Sequence, residues 1–230
     1  MSPRVTLAVT ARVLHQLRRD HRTMAMLLVV PAVLLTLLWW MFEELPGNFF
    51  DAFGPALLAM FPFIIMFLVT SVTTLRERSS GTLERLLSMP MGKLDFLLGY
   101  ALAFGLVAAV QSAVAVGVSV GLLGLDVQGP VWLLTVVAVV DALLGSTLGL
   151  FVSAFAQTEF QAVQFMPAIV LPQILLCGLF VPREALPDAL EAISDVLPLS
   201  YAVDAMRDVM SESGWSGDLT VDVVVVSGFI

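Results

Sequence analysis

Five stretches of this chain, residues 24–42, 53–75, 94–124, 131–156 and 160–181, are long and apolar, and a sixth begins at residue 219. A helix needs roughly 20 apolar residues to cross a hydrocarbon core of about 30 Å. Lipid offers backbone groups no hydrogen-bond partner, and the alternation of a membrane strand is absent, so each stretch is expected to be a helix. The composition agrees: 59% of residues are hydrophobic and 13% charged, and the mean hydropathy is +0.96, beyond the range of a soluble domain. The expected fold class is an all-α membrane protein, one domain over 1–230 with six transmembrane helices.

The sixth run stops at Ile230 after 12 residues and contains Asp222. A truncated span or a disordered tail is expected there. The first run follows 23 residues that hold five arginines and no small-residue cleavage site, so it is read as a retained span and not as a signal peptide.

Nine of the eleven basic residues fall in two places: Arg4, Arg12, Arg18, Arg19 and Arg22 before the first span, and Arg76, Arg78, Arg85 and Lys93 between the second and third. The loops of the other side hold only Arg183 and Arg207 against thirteen acidic residues. Basic residues mark the cytoplasmic side. The chain is therefore read as a multi-pass protein of the inner (cytoplasmic) membrane with a cytoplasmic N-terminus. The net charge of -8 is an outside-facing feature and argues against a nucleic-acid partner. The single cysteine, Cys177, lies within an apolar run without a second sulfur, and His15 and His21 lack the carboxylates or thiols of a zinc site, so no metal is expected.

Residues 1–23 place Val5, Val9, Val13, Leu14 and Leu17 on one face and arginines on the other, the pattern of a helix lying on the inner membrane surface. Residues 76–93, RERSSGTLERLLSMPMGK, form a charged island between two spans. Within it Gly81 is read as an N-cap and Glu84 as its capping-box partner, opening a short helix that Pro90 stops. Leu83, Leu86 and Leu87 make one apolar ridge. A helix of one or two turns does not stand alone in water, so this ridge needs a groove.

The pattern Arg-Glu-Arg-x-x-Gly-Thr-Leu-Glu-Arg-Leu-Leu-x-x-Pro at 76–90 resembles the cytoplasmic coupling helix of ABC-2 type transporter permeases. A second stretch, Leu-Pro-Leu-Ser-Tyr-Ala-Val-Asp-Ala-Met-Arg at 197–207, resembles that family's C-terminal signature. The resemblance implies the membrane half of an ATP-driven exporter of a hydrophobic or amphipathic substrate (drug, antibiotic or lipid-like). It also implies an outer gate around Pro198, Tyr201, Asp204 and Arg207, and a second permease copy or sister permease. Thr82, Leu83, Glu84, Arg85, Leu86 and Leu87 would be the contact with a cytoplasmic ABC ATPase. No Gly-x-x-x-x-Gly-Lys-Ser/Thr loop occurs in the chain, so ATP and magnesium are expected on a separate subunit, and the chain is read as a non-enzymatic permease without a cofactor of its own. Export of a polysaccharide or another cell-envelope glycoconjugate, or a non-transporting anchor, are the alternatives.

Between the fifth and sixth spans, residues 183–218 form an outer segment in which Leu186, Ala189, Leu190, Ile193, Val196 and Leu197 recur at helical spacing. It resembles the family's re-entrant outer helices. Small residues at Ala101, Gly105, Ala109, Ala113, Gly117 and Gly121, and again at Gly145 and Gly149, predict close helix approach. Prolines 31, 62, 167 and 172 are read as kinks or hinges. Phe61, Phe63, Met66 and Phe67 are a possible greasy substrate path. Gln111 and Asp141 are the polar groups that path would offer, since an intramembrane carboxylate marks a functional site by default. A secondary transporter would show more intramembrane charge, and a membrane enzyme a converging catalytic cluster.

Overall fold

The computed structural model describes residues 2–43, 49–81 and 92–230, with the side chain of Lys93 left aside. Among the described residues every regular element is helical: α1 (Pro3–Arg19), α2 (His21–Phe42), α3 (Phe49–Ser79), α4 (Lys93–Gly121), α5 (Val131–Phe155), α6 (Glu159–Leu176), a 3₁₀ turn (Arg183–Ala185), α7 (Asp188–Ser194), α8 (Pro198–Ser211) and α9 (Gly217–Gly228). Five of them, α2 to α6, are long and apolar enough to cross a membrane. The protein is a multi-pass membrane protein.

The helices start where the sequence offers caps. Pro3 opens α1 at a position whose N–H is an orphan in any case. Asp20 ends α1 and caps α2, accepting from the Thr23 N–H at 3.1 Å and from its hydroxyl at 2.7 Å. Those bonds, more than nearby Arg76, hold the Asp20 carboxyl below its ordinary value. Thr158 and Ser216 do the same for α6 and α9.

The centre of the bundle is α3, which lies along α5. In its most apolar stretch 72% of residues are buried, against 17% in α2 and 22% in α6, so α3 is enclosed by protein while α2 and α6 stand at the periphery. Gly145 and Gly149 make the close approach possible. A Cβ on Gly145 would stand 2.3 Å from the carbonyl oxygen of Phe63, and one on Gly149 2.5 Å from that of Phe67. The amphipathic α8 buries Leu199, Ala202, Val203, Ala205, Met206 and Val209 against the same core, and α9 packs on α8.

The structure departs from the sequence reading in several places. The third span ends at Gly121, and Gly124 at φ +69° carries the chain into the loop before α5. The fifth ends at Leu176, five residues early, because Gly178 adopts φ +86° and its carbonyl is held by Arg207. The last helix has 12 residues, in line with the short run read there, so five helices and not six have the length of a span among the described residues. The small-residue stripe of α4 faces outward: Ala101, Ala113, Gly117 and Gly121 are exposed, and the buried side carries Tyr100, Phe104, Val107 and Ala115. The apolar side of α1 is covered by α4 of the same chain, since Val9, Val13 and Leu17 join Tyr100, Ala103 and Phe104 in one cluster. In the segment between α6 and α8, Leu190, Ile193 and Val196 face away from the bundle, while Ser194 is buried, its hydroxyl donating to the Leu176 carbonyl at 2.8 Å. Gly81 has φ +69° and closes the end of α3, its N–H reaching the Arg78 carbonyl at 3.2 Å; the short helix it was read to cap lies outside the described residues.

Candidate functional site

At one end of the bundle, α1, the last turn of α3, the first turns of α4 and the α5–α6 junction converge. Glu77, near the end of α3, is 3% exposed. Arg12 of α1 donates from Nη2 to Glu77 Oε1 at 3.0 Å and lies 2.6 Å from the hydroxyl of Tyr100 on α4, which in turn donates to Glu77 Oε2. The Arg12 guanidinium also stands over the Tyr100 ring. Three helices thus share one polar knot. A buried carboxylate is tolerated because charge-assisted bonds reach both of its oxygens.

A second attachment lies one turn earlier. Asp95 in the first turn of α4 accepts from the Ser2 N–H at 2.9 Å and from the Thr6 hydroxyl at 3.3 Å, and the Thr10 hydroxyl donates to the Gly99 carbonyl at 3.1 Å. Glycine at 99 is what lets α1 come so near, because a Cβ there would meet Val9 Cγ1 at 2.6 Å. On the other flank Arg76 forms a two-pronged bond to Glu159 (2.8 and 3.0 Å) and approaches Asp20 at 3.6 Å, while Arg78 donates to the carbonyls of Ala154 and Ala156. The Arg76 pairs are half-exposed and contribute little each. Their effect is to orient the end of α3.

These contacts frame the two stems, α3 and α4, of the segment 82–91. The candidate coupling residues Thr82, Leu83, Glu84, Arg85, Leu86 and Leu87 lie outside the described residues. Glu77, Tyr100 and Asp95 were not singled out from sequence, although an acid in a basic island was a visible signal for Glu77.

The opposite end carries the signature residues. Pro198 sits in the first turn of α8, and the Tyr201 hydroxyl donates to the Asp195 carbonyl at 2.7 Å. Asp204 is paired chiefly with Arg183, which also binds Asp195 and stands over the Tyr201 ring. Burial raises the Asp204 carboxyl above its ordinary value, and Arg183 partly offsets that. Arg207 approaches Asp204 only at 3.9 Å and instead donates to the Gly178 carbonyl at 2.5 Å. This end of the bundle is therefore organised by Arg183, a residue the sequence reading noted only as a loop charge.

Phe63, Met66 and Phe67 are fully buried and Phe61 nearly so, all on the packed faces of α3. The other side of that helix, Ile65, Leu68, Val69 and Val72, lines a cavity of about 310 Å³ with Met26 and Val163 of the flanking helices. Gln111 and Asp141 are buried, and neither oxygen of Asp141 nor either polar atom of the Gln111 amide has a partner. Among the described residues no group of His, Cys, Asp or Glu is placed to hold a metal ion, and Cys177 is a buried free thiol.

The sequence profile of the ABC-2 type transporter family matches residues 4–211, and the chain belongs to that family. It is 26% identical over 164 residues, 71% of this chain and 22% of the relative, to ABC transporter G family member 20 of Dictyostelium discoideum. It is 27% identical over 170 residues, 74% of this chain and 45% of the relative, to the probable multidrug ABC transporter permease YbhR of Escherichia coli. It is 25% identical over 148 residues, 64% and 40% of the two chains, to the inner membrane transport permease YhhJ of the same species. The matched part is less than half the length of each of these relatives.

Proposed function

We propose that this chain is the transport subunit of an ATP-driven exporter that moves a hydrophobic or amphipathic substrate out of the cell, with ATP and magnesium handled by a separate cytoplasmic ATPase. Family membership and the multidrug permease name carried by one relative support this reading. The observation that carries the mechanism is the convergence of Arg12, Glu77, Tyr100 and Asp95 on the two stems of segment 82–91.

In this reading the basic end is cytoplasmic, and Thr82, Leu83, Glu84, Arg85, Leu86 and Leu87 seat in a cleft of the ATPase. A displacement of that segment reaches α3 and α4 together, because α1 binds both. α3 is the core helix, so its movement against α5 changes access from one side of the membrane to the other. The Arg183–Asp204 cap closes the outer side. A second permease copy, meeting the exposed flanks of α2 and α6, completes the pathway in the inner membrane.

The test is co-purification and ATP turnover with the ATPase subunit, comparing the unmodified chain with Glu84→Ala and Leu86→Asp. Loss of binding or of substrate-stimulated turnover with a folded permease is the expected result. Unchanged binding and turnover in both variants would remove the coupling assignment.

A further inference from the structure

The carboxyl of Asp141 is fully buried, both its oxygens lack a hydrogen-bond partner, and none of the described charged groups acts on it. It stands ten residues into α5, which at 1.5 Å per residue is about 15 Å from the outer end of the helix and so near the middle of a core about 30 Å thick. Its pocket is bounded by Val137 and Val140 of α5, Ala202 and Ala205 of α8, and Val223 and Val226 of α9, and its volume is about 10 Å³. That is at the lower limit for one water, and an apolar wall gives a water no partners. The nearby arginines are engaged elsewhere: Arg183 with Asp195 and Asp204, Arg207 with the Gly178 carbonyl.

The seam leads outward past other acids. Asp222, beside Val223 on α9, is within electrostatic reach of Asp204, Asp208 and Asp218 and of Arg183, which those acids outnumber, and Asp208 also feels Glu212. From mid-membrane to the outer surface, the α5–α8–α9 seam thus offers valine walls and carboxylates. We propose that this seam binds a lipophilic organic cation, with Asp141 as its counter-charge and Asp222 and Asp208 along its outward route. A carboxyl without partners in a dry apolar pocket keeps its proton, so entry of the cation displaces that proton and leaves the carboxylate as counter-charge; an anion or a neutral molecule gains nothing from that exchange. The seam is closed here, and separation of α8 and α9 from α5 admits the ligand; Ala202 and Ala205 are the small side chains that line it on the α8 side. The outward direction rests on the exporter reading, whereas the binding step does not.

The test uses the full permease in phosphatidylcholine nanodiscs and two ions of the same shape and opposite charge, tetraphenylphosphonium and tetraphenylborate. Saturable binding of the cation alone is expected, weakened at least tenfold by Asp141→Asn and several-fold by Asp222→Asn. The second variant alters a partly exposed residue and keeps the test decisive if the first does not fold. Equal saturable binding of both ions, no saturable binding of the cation, or unchanged affinity in a folded variant would overturn the proposal. In vesicles that also hold the ATPase, Asp141-dependent binding without ATP-driven movement of the cation counts against the exporter reading alone. Equal ATP-driven movement in wild type and Asp141→Asn overturns the site alone.

Discussion

Arg12 of α1 and Glu77 of α3, 65 residues apart, meet at 3.0 Å in a setting where the carboxylate is buried and the guanidinium half-buried. Removing either partner has unequal effects. Arg12→Ala leaves the buried carboxylate without its counter-charge, held only by neutral donors such as the Tyr100 hydroxyl, and is expected to lower stability by about 1–3 kcal/mol. Glu77→Gln keeps an acceptor for Arg12 and is expected to cost less. Thermal unfolding of the purified permease in detergent reads the difference, and equal losses would mean that Arg12 acts through packing alone.

The two glycine patterns in the spans predict opposite outcomes. Gly145→Ala or Gly149→Ala drives a methyl into the backbone of α3, which has no flexible end to yield, and is expected to prevent a stable fold or lower its melting temperature sharply. Gly117→Ala meets nothing within 4 Å and removes a helix glycine, so a neutral effect or a gain of about 0.5–1 kcal/mol is expected. Melting curves for the three variants check both halves.

Asp208 gives a pH signature. Burial, followed by repulsion from Glu212, Asp218 and Asp204, raises its carboxyl above the ordinary 3.8. The folded state then holds this proton more tightly than the unfolded state. The contribution to stability is full below the ordinary aspartate range and is lost as pH rises through the raised value. Asp208→Asn is expected to be more stable than wild type at pH 7, with the gap closing near pH 3. A gap that stays constant with pH would show that Asp208 does not titrate differently on folding.

Gly178 ends α6 with a backbone conformation that L side chains rarely adopt, and a Cβ there would stand 2.9 Å from Arg207 Nη1. Gly178→Ala is expected to cost about 1–2 kcal/mol and to loosen the Arg207 contact. Faster proteolysis or hydrogen exchange in residues 177–186 checks it, and protection equal to wild type would show that the turn tolerates the change.

What could be read from sequence follows the range of the physics involved. Spans, caps and internal prolines depend on local composition, and α2, α3 and α5 stand close to where hydropathy places them. The direction a helix faces depends on neighbours far along the chain. A period of four in α4 identified a smooth face but not whether anything covers it, and the structure leaves it open. Likewise the valines of α1 have the spacing of a lipid-facing helix, yet Gly99 creates a slot on α4 that they fill. The ends of α4 and α6 were overestimated because Gly124 and Gly178 are inconspicuous inside apolar runs, and only their positive φ breaks the helix. The Arg12–Glu77–Tyr100 knot joins residues 23 to 88 positions apart, beyond any pattern of local spacing.

The attachment of α1 to Asp95 and Gly99 on one stem and to Glu77 on the other makes the N-terminal helix a splint across a joint. A splinted joint does not absorb a push by folding at its apex. Load applied between the stems would reach the helices as a turning moment, and the stiffness of that transmission would reside in a helix that is not one of the five apolar spans.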